Sequence, residues 1–302
     1  MEKTFKKYLE SKGFSESSRK RIYKETILFI NWSEKERIES EYATYRELLS
    51  YVQYLKSREV KQITIQLYIS GLKHYFSWCI ARNLITENPV RKIDIKGIKR
   101  RSLYYILNNK ELELLYYNFS LEEETPKYNY QKVSQLSVKR NKVILGLMIY
   151  QGLGTQELGN LDLKDVKLRE GKIYISGSRK SNERTLKLES HQVLDIMEYT
   201  LQTRNEILEL NNKKSDKLIV STGKSDEVGN VMSKLMKKLK TQNEKVESVR
   251  QIRTSIITKW LKMYNLREVQ YMAGHKFVSS TEAYFVNDLE DLQEDIGKYH
   301  PF

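Results

Sequence analysis

Residues that interrupt helices are scarce in this chain, and this scarcity limits the folds that it can adopt. Only 3 prolines and 13 glycines occur among 302 residues, so most of the first ninety residues form helix-compatible stretches. Between positions 62 and 80, apolar side chains recur at steps of three and four and form one stripe along a helix. The stripe consists of Ile65, Tyr68, Ile69, Leu72, Tyr75, Phe76 and Cys79. We therefore predict that the N-terminal part is all-helical and that this stripe lies in its core.

Chain length and punctuation together indicate two domains. A chain of 302 residues with 39% hydrophobic content is too long for one small core. Pro89 disfavours helix at Asn88, and a basic run, RKIDIKGIKRR, follows over residues 91–101. We predict a helical N-terminal domain over residues 1–92, a basic linker over 93–106 and a second domain over 107–302.

The second domain is predicted to be mainly helical with a small β-sheet, which makes the fold class α+β. A helix begins near Asn109, and residues 139–151 (KRNKVILGLMIYQ) are apolar enough for a helix that is buried on most sides. Residues 171–176 (GKIYIS) and 184–188 (RTLKL) alternate between apolar and polar side chains, and the polar loop GSRKSNE joins them. This pattern indicates a β-hairpin.

The charge of the chain indicates an anionic partner. Lys and Arg number 53 against 39 Asp and Glu, which gives a formal net charge of +14. Such an excess suits nucleic acid or an anionic membrane surface, although solubility alone also accounts for it. No stretch approaches the roughly 20 apolar residues of a spanning helix, and the N-terminus lacks the apolar core of a signal peptide. We expect a cytoplasmic protein that binds nucleic acid and no membrane. Cys79 is the only cysteine, which excludes an internal disulfide and a cysteine-based metal cluster.

Two segments near the C-terminus carry a specific pattern. Residues 274–285 (GHKFVSSTEAYF) follow NLREVQYMA, and Tyr284 stands nine residues after His275. This string resembles the C-terminal box of tyrosine recombinases, the phage integrase family, in which a Gly-His pair precedes the nucleophilic tyrosine at that spacing. Residues 250–261 (RQIRTSIITKWL) resemble the family's helix in which a histidine, two residues and a phosphate-binding arginine follow one another. Arg253 occupies the arginine position and Arg250 the histidine position, and residues three apart lie on one helix face.

Two further segments complete the resemblance, one of them with a departure. Residues 151–166 (QGLGTQELGNLDLKDV) are similar to the family's Gly-Leu-Arg segment, in which Glu157 fits, but Gly154 stands where the first catalytic arginine belongs. The family places in the hairpin loop a lysine that protonates the leaving oxygen. Lys180 is our first choice for that lysine and Arg179 the second, because the loop aligns only to within a residue.

The resemblance implies an enzyme that cleaves and rejoins DNA through a 3′-phosphotyrosyl intermediate. Arginine forks stabilise the charge that develops on a phosphate, and nearby cations or a base assist a tyrosine hydroxyl whose ordinary pKa is near 10. The bond energy is kept in the phosphotyrosine, so no metal, ATP or other cofactor is expected. The predicted catalytic residues are Tyr284, Arg253, His275, Lys180 and Arg250, and the predicted DNA-binding residues are Arg179, Lys99, Arg100 and Arg101.

The resemblance also implies partners and roles for the domains. The expected partner is double-stranded DNA with specific recombination sites, bound by a homo-oligomer, a tetramer on DNA, of the kind that mobile elements encode. Residues 1–92 would bind core DNA, and residues 107–302 would form the catalytic domain. A C-terminal tail helix with Leu289, Leu292 and Ile296 on one face would dock on a neighbouring subunit or on its own domain.

Two alternatives remain open at this point. Gly154 and Arg250 are also compatible with a DNA-binding protein of the same fold whose catalytic site has decayed. A type IB topoisomerase would share the nucleophile and the phosphate clamp, and would relax DNA without choosing partners. The joint presence of Tyr284, His275, Arg253 and a hairpin lysine favours the active recombinase.

Overall fold

The computed structural model describes residues 2–97, 104–119, 129–223, 225 and 227–285. The chain divides into two compact units, Met1–Ser102 and Leu103–Phe302. The division falls inside the segment predicted as a linker. Ile93 is buried in the N-terminal core, and Leu107 is buried in the C-terminal core. Lys99, Arg100 and Arg101 lie outside the described residues, as does the predicted tail helix.

Within its described residues, the N-terminal unit contains four α-helices. These are α1 (Glu2–Ser11), α2 (Glu16–Lys35), α3 (Tyr45–Ser57) and α4 (Gln62–Ala81). Helix α3 begins with a capping box, in which the Thr44 hydroxyl accepts from the Glu47 backbone and the Glu47 carboxylate accepts from the Thr44 backbone. The predicted all-helical character of this part of the chain is confirmed.

The core of the N-terminal unit is rich in aromatic rings. Six of the seven residues in the predicted stripe of α4 are buried, and Tyr68 is partly buried. Helices α2 and α4 pack closely where Gly71 meets Glu25, because a Cβ at Gly71 would lie 2.2 Å from a carboxylate oxygen of Glu25. Cys79 is a buried free thiol, as predicted. None of the described helices combines the length and apolar character that spanning a membrane requires.

The C-terminal unit packs helices around α6. Its described helices are α5 (Asn109–Tyr117), α6 (Asn129–Gln151), α7 (Thr155–Asn160), α8 (Ser190–Glu198), α9 (Arg204–Leu210), α10 (Val228–Gln242), α11 (Val249–Met263), α12 (Leu266–Ala273) and α13 (Val278–Glu282). Helix α6 buries every residue from 143 to 149, which confirms the predicted central helix. It packs against α5, α8 and α11.

A three-stranded antiparallel sheet completes this unit. Its strands are β1 (Val166–Lys167), β2 (Lys172–Ile175) and β3 (Arg184–Lys187), in the order β1-β2-β3. The predicted hairpin is confirmed, and with it the mainly helical α+β fold. Strand β1 was not predicted, because two residues are too few to show a period. The register pairs Ile175 with Arg184, and Arg184 and Leu186 are the buried positions of β3.

Candidate active site

An open cleft of about 310 Å³ lies in the C-terminal unit. It is formed by the beginning of α7, the β2–β3 loop, helix α11 and the turn after α12. Its lining residues are Gly154, Thr155, Gln156, Glu157, Asn160, Ile175, Ser176, Ser178, Lys180, Ser181, Arg253 and His275. Three predicted catalytic residues, Arg253, His275 and Lys180, thus meet at one cleft although about 95 residues separate the first from the last in sequence.

The guanidinium of Arg253 lines the cleft and is fixed by hydrogen bonds to three protein acceptors. Its Nη1 donates to the Gly152 carbonyl at 2.6 Å and to the Glu157 carboxylate, and its Nη2 donates to the Ala273 carbonyl at 2.7 Å. Arginine has five N–H groups, so these bonds leave the Nε–H and one Nη2–H. Neither has a partner among the described residues. Two N–H donors of Arg253 are therefore left for an anion in the cleft.

Glu157 lies between two guanidinium groups. One carboxylate oxygen, Oε2, accepts from Arg253 and from the Gly154 backbone at 3.1 Å, and Oε1 lies 2.8 Å from Nη1 of Arg184. Burial alone raises the pKa of Glu157, but the two guanidinium groups hold that pKa below its ordinary value. Glu157 is therefore a carboxylate at neutral pH.

Sequence reasoning missed this contact with Arg184. The sequence motifs give Glu157 no role, and they place Arg184 only on a strand. A signal was present in the alternation of RTLKL, which places Arg184 on the same face of the strand as Leu186, and a buried charge has to be paired or hydrogen-bonded.

His275 follows a helix end at which the backbone adopts the left-handed conformation that favours glycine. Helix α12 begins with a capping box between Asn265 and Glu268 and ends at Gly274, which has φ +69°. Nδ1 of His275 lies 2.9 Å from the Thr281 hydroxyl. Burial and the nearby guanidinium groups lower the pKa of His275 to about 4. The histidine is therefore neutral at pH 7 and can act as a base or hydrogen-bond partner, but not as a cation.

Tyr284 lies beside this histidine. Its ring stacks on the His275 ring with centroids 5.7 Å apart and planes 14° from parallel. The backbone N–H of Tyr284 donates to the Thr281 carbonyl, and the side chain is half-buried. Thr281 thus orients both the predicted nucleophile and the histidine.

Two of the predicted residues that the structure describes, Arg250 and Arg179, do not line the cleft. Arg250 is exposed in the first turn of α11, and Arg179 is exposed in the hairpin loop. Of the two hairpin candidates, Lys180 is the one whose side chain lines the cleft. Position 154 borders the cleft without supplying a cation. A Cβ built at Gly154 would meet only the Glu157 carboxylate at 3.8 Å and Arg253 side-chain atoms at 4.0 Å.

The profile of the phage integrase family matches residues 122–290, which is more than half of the chain. The chain belongs to the phage integrase family. The resemblance to tyrosine recombinases that the four motifs indicated is thereby confirmed. The match spans α6 to Tyr284 and so includes every residue of the cleft.

Relatives in this family are similar along most of the chain. A tyrosine recombinase of Agathobacter rectalis is 27% identical over 245 residues, which cover 80% of this chain and 77% of the relative. A tyrosine recombinase XerC of Listeria welshimeri is 23% identical over 306 residues, with 100% and 97% coverage.

Solved structures of the family have the same fold. A lambda integrase dimer bound to a COC′ core site gives a TM-score of 0.64 at 16% identity and covers 93% of this chain and 74% of the integrase. The XerH site-specific recombinase bound to difH, in a pre-cleavage complex, gives a TM-score of 0.61 at 21% identity, with 84% and 70% coverage. At these identities the likeness establishes the integrase fold.

Proposed function

We propose that this chain is a tyrosine-type site-specific recombinase that cleaves and rejoins DNA through Tyr284. The observation that carries the proposal is the meeting of the family's motifs at one cleft. Tyr284 stacks on His275, and His275 lines the cleft together with Arg253 and Lys180. This is the set of groups that phosphoryl transfer to a tyrosine requires: a nucleophile, a base, a phosphate clamp and an acid.

The proposed reaction follows from the protonation states of these groups. The Tyr284 oxygen attacks phosphorus while neutral His275 accepts a hydrogen bond or the proton from that hydroxyl. The two remaining N–H groups of Arg253 bind a non-bridging oxygen, where negative charge develops. The bond from phosphorus to the 5′ oxygen breaks, and Lys180 gives that oxygen a proton. The products are a 3′-phosphotyrosine and a 5′-hydroxyl, and attack by a 5′-hydroxyl of the partner strand reverses the step.

The proposed partner is double-stranded DNA that carries specific recombination sites. The net charge of +14 supports phosphate binding, and a tetramer of lambda integrase bound to a Holliday junction shares the fold. On this proposal residues 1–92 bind core DNA, the basic linker 93–106 crosses the backbone, and residues 107–302 catalyse, in a tetramer on DNA. Because its substrate is DNA, we propose that the protein acts in the cytoplasm.

Trapping of the covalent intermediate tests the proposed function. The protein is incubated with a nicked duplex that carries a site selected by binding from random-sequence DNA, and the products are separated on a denaturing gel. The wild-type protein should form a covalent adduct. Tyr284→Phe should bind the DNA equally well and form none, since it lacks only the attacking oxygen, whereas Tyr264→Phe, at an exposed tyrosine after α11, should form the adduct normally.

Two results would contradict the assignment. Adduct formation by Tyr284→Phe would exclude Tyr284 as the nucleophile. Failure of the wild-type protein to form any adduct on DNA that it binds would favour the decayed DNA-binding protein. In addition, Arg253→Ala should slow cleavage by roughly 10²- to 10³-fold, because it removes one preorganised transition-state donor.

A further inference from the structure

Arg184 is a buried cation that none of the family motifs in this sequence assigned to the cleft. Its side chain is 0% exposed, although it lies on strand β3 next to the hairpin loop that carries Lys180. A buried guanidinium is costly unless its charge is paired or its N–H groups are hydrogen-bonded, and for Arg184 the Glu157 carboxylate lies at 2.8 Å.

Counting the charges behind the cleft shows what Arg184 adds. Arg253 contributes +1 and Glu157 contributes −1, so this ion pair alone is neutral. Gly154 contributes nothing, although it borders the same cleft. Arg184 brings the cluster to a net +1. Apart from Lys180 in the hairpin loop, a phosphate that approaches Arg253 therefore meets a net positive charge because Arg184 offsets the Glu157 carboxylate.

The contacts of Arg184 indicate that its positive charge matters more than the hydrogen bonds that it donates. Nε donates to the Met272 carbonyl at 2.8 Å, but Nη1 faces Glu157 at ion-pair distance without hydrogen-bond geometry. Nη2 is buried and has no hydrogen-bond partner among the described residues. A neutral side chain of the same length would fill this space without leaving donors unsatisfied.

Arg184 also joins the segments that carry the proposed catalytic groups. Besides its contacts to α7 and α12, it lies directly under the Gly-His turn, because a Cβ at Gly274 would lie 2.3 Å from Nη1 of Arg184. Next to it, the Asn182 backbone donates to the Gly274 carbonyl at 2.9 Å, and Ser181 forms a β-bridge with His275. The hairpin and the histidine turn are thus fastened together around this guanidinium.

We propose that Arg184 is a positioning residue that keeps the phosphate site positively charged by offsetting Glu157, in place of the cation that position 154 lacks. This inference rests on the proposed recombinase function. It predicts that the net charge of the cluster, rather than the identity of the side chain at 184, controls the cleavage rate. The cluster has a net charge of +1 in the wild-type protein, 0 in Arg184→Met, and +1 again when Glu157→Gln is added to Arg184→Met.

Covalent adduct formation at saturating nicked DNA measures this dependence. Arg184→Met should slow the reaction roughly 10²-fold, as expected for loss of a preorganised charge. Arg184→Lys should retain most of the rate, and Arg184→Met combined with Glu157→Gln should be faster than Arg184→Met alone. Arg204→Met removes another buried arginine of the same unit, one that donates to the Lys217 carbonyl, and should leave cleavage unchanged.

The pKa of His275, followed by NMR in the full-length protein, supplies a second readout. The titratable groups that face or border His275 are Arg253 on α11, Arg184 on β3, Glu157 on α7, Lys180 in the hairpin loop and Tyr284 after α13. Removing the charge of Arg184 should raise the pKa of His275, and Arg204→Met should not change it. This readout does not depend on cleavage, so it tests the inference even where the proposed function fails.

Three outcomes would overturn the proposal. The first is wild-type cleavage by Arg184→Met, and the second is a double variant that is slower than Arg184→Met, as purely structural damage predicts. If Arg184→Met does not fold, as judged by its melting curve, Arg184→Lys and the double variant carry the test. Arg184→Lys and the double variant both keep a cluster charge of +1 and should form the adduct. The third outcome that would overturn the proposal is that both proteins fold but form no adduct.

Discussion

Replacement of Gly274 by alanine should separate the effect of backbone strain from the effect on the cleft. Gly274 has φ +69°, a conformation that costs an L-residue roughly 1–2 kcal/mol. For a unit of about 200 residues, 1 kcal/mol corresponds to about 2–4 °C, so the melting temperature should fall by about 2–8 °C. The added Cβ would also lie 2.3 Å from Nη1 of Arg184 and 3.2 Å from the Asn182 carbonyl.

The second of these effects should reduce cleavage. Cβ contacts below 3.0 Å essentially never occur, so Arg184 or the turn has to move by at least about 0.7 Å, the difference between 3.0 and 2.3 Å. Movement of the turn displaces His275, the residue after Gly274. Misplacement of a catalytic group by about 1 Å can cost 10²-fold in rate, and we expect a loss of that order in adduct formation on nicked DNA.

Gly171→Ala is the matched control for this variant. Gly171 has φ +61°, in the turn between β1 and β2, and a Cβ there would meet nothing within 4 Å. Gly171→Ala should lower the melting temperature by the amount that backbone strain alone costs, and it should leave the cleavage rate unchanged. Equal rate losses in the two variants, or wild-type cleavage by Gly274→Ala, would refute the reasoning about Arg184 and the turn.

Three further predictions concern the cations and the histidine of the cleft. Lys180→Ala should lose more cleavage than Arg179→Ala or Arg250→Ala, because only Lys180 of the three lines the cleft. A DNA substrate with sulfur in place of the leaving 5′ oxygen should restore cleavage by Lys180→Ala, because a thiolate departs without a proton. If this substrate does not restore cleavage, Lys180 is not the acid. Gly154→Arg should cleave faster than the wild-type protein, because it adds a cation at the border of the cleft. Arginine fits at this position, since φ −91° suits any residue and the new Cβ has ordinary contacts. An unchanged single-turnover rate would mean that the cleft needs no further cation. The pKa of His275 is near 6.5 in the unfolded chain and about 4 in the folded chain, so stability should fall as the pH decreases from 6.5 to 4. His275→Gln should weaken this dependence of the melting temperature on pH. The same pH dependence in both proteins would contradict a neutral, buried histidine.

Several elements of the fold were predictable because local patterns specify them. The stripe of α4 and the broad apolar surface of α6 follow from helical periodicity, and both are buried. The hairpin follows from alternation on either side of a polar loop, and β2 and β3 pair as expected. Strand β1 was not predictable, since its two residues depend on pairing with β2 for their conformation.

The candidate site was predictable only in part, because a motif fixes spacing but not contact. His275 and Tyr284 lie in one short segment, so their proximity follows from the turn between them. Lys180 and Arg179 are neighbours in sequence, and only the course of the hairpin loop places one of them at the cleft. Arg250 shares a face pattern with Arg253 but lies one turn earlier, where α11 is exposed.

Local features of the amino-acid sequence are enough to predict the family, the helical character of the chain and the nucleophile candidate. These properties depend on the composition of the chain, on short-range periodicity and on a segment of twelve residues, and none of them requires contacts between distant residues. Tertiary structure decided the protonation and charge of the site. The pKa of His275 is lowered by burial and by Arg253 and Arg184, and Glu157 stays ionised because the same two arginines flank it. Burial and Coulomb interactions depend on distances between residues that are far apart in the chain, and only the folded packing sets those distances.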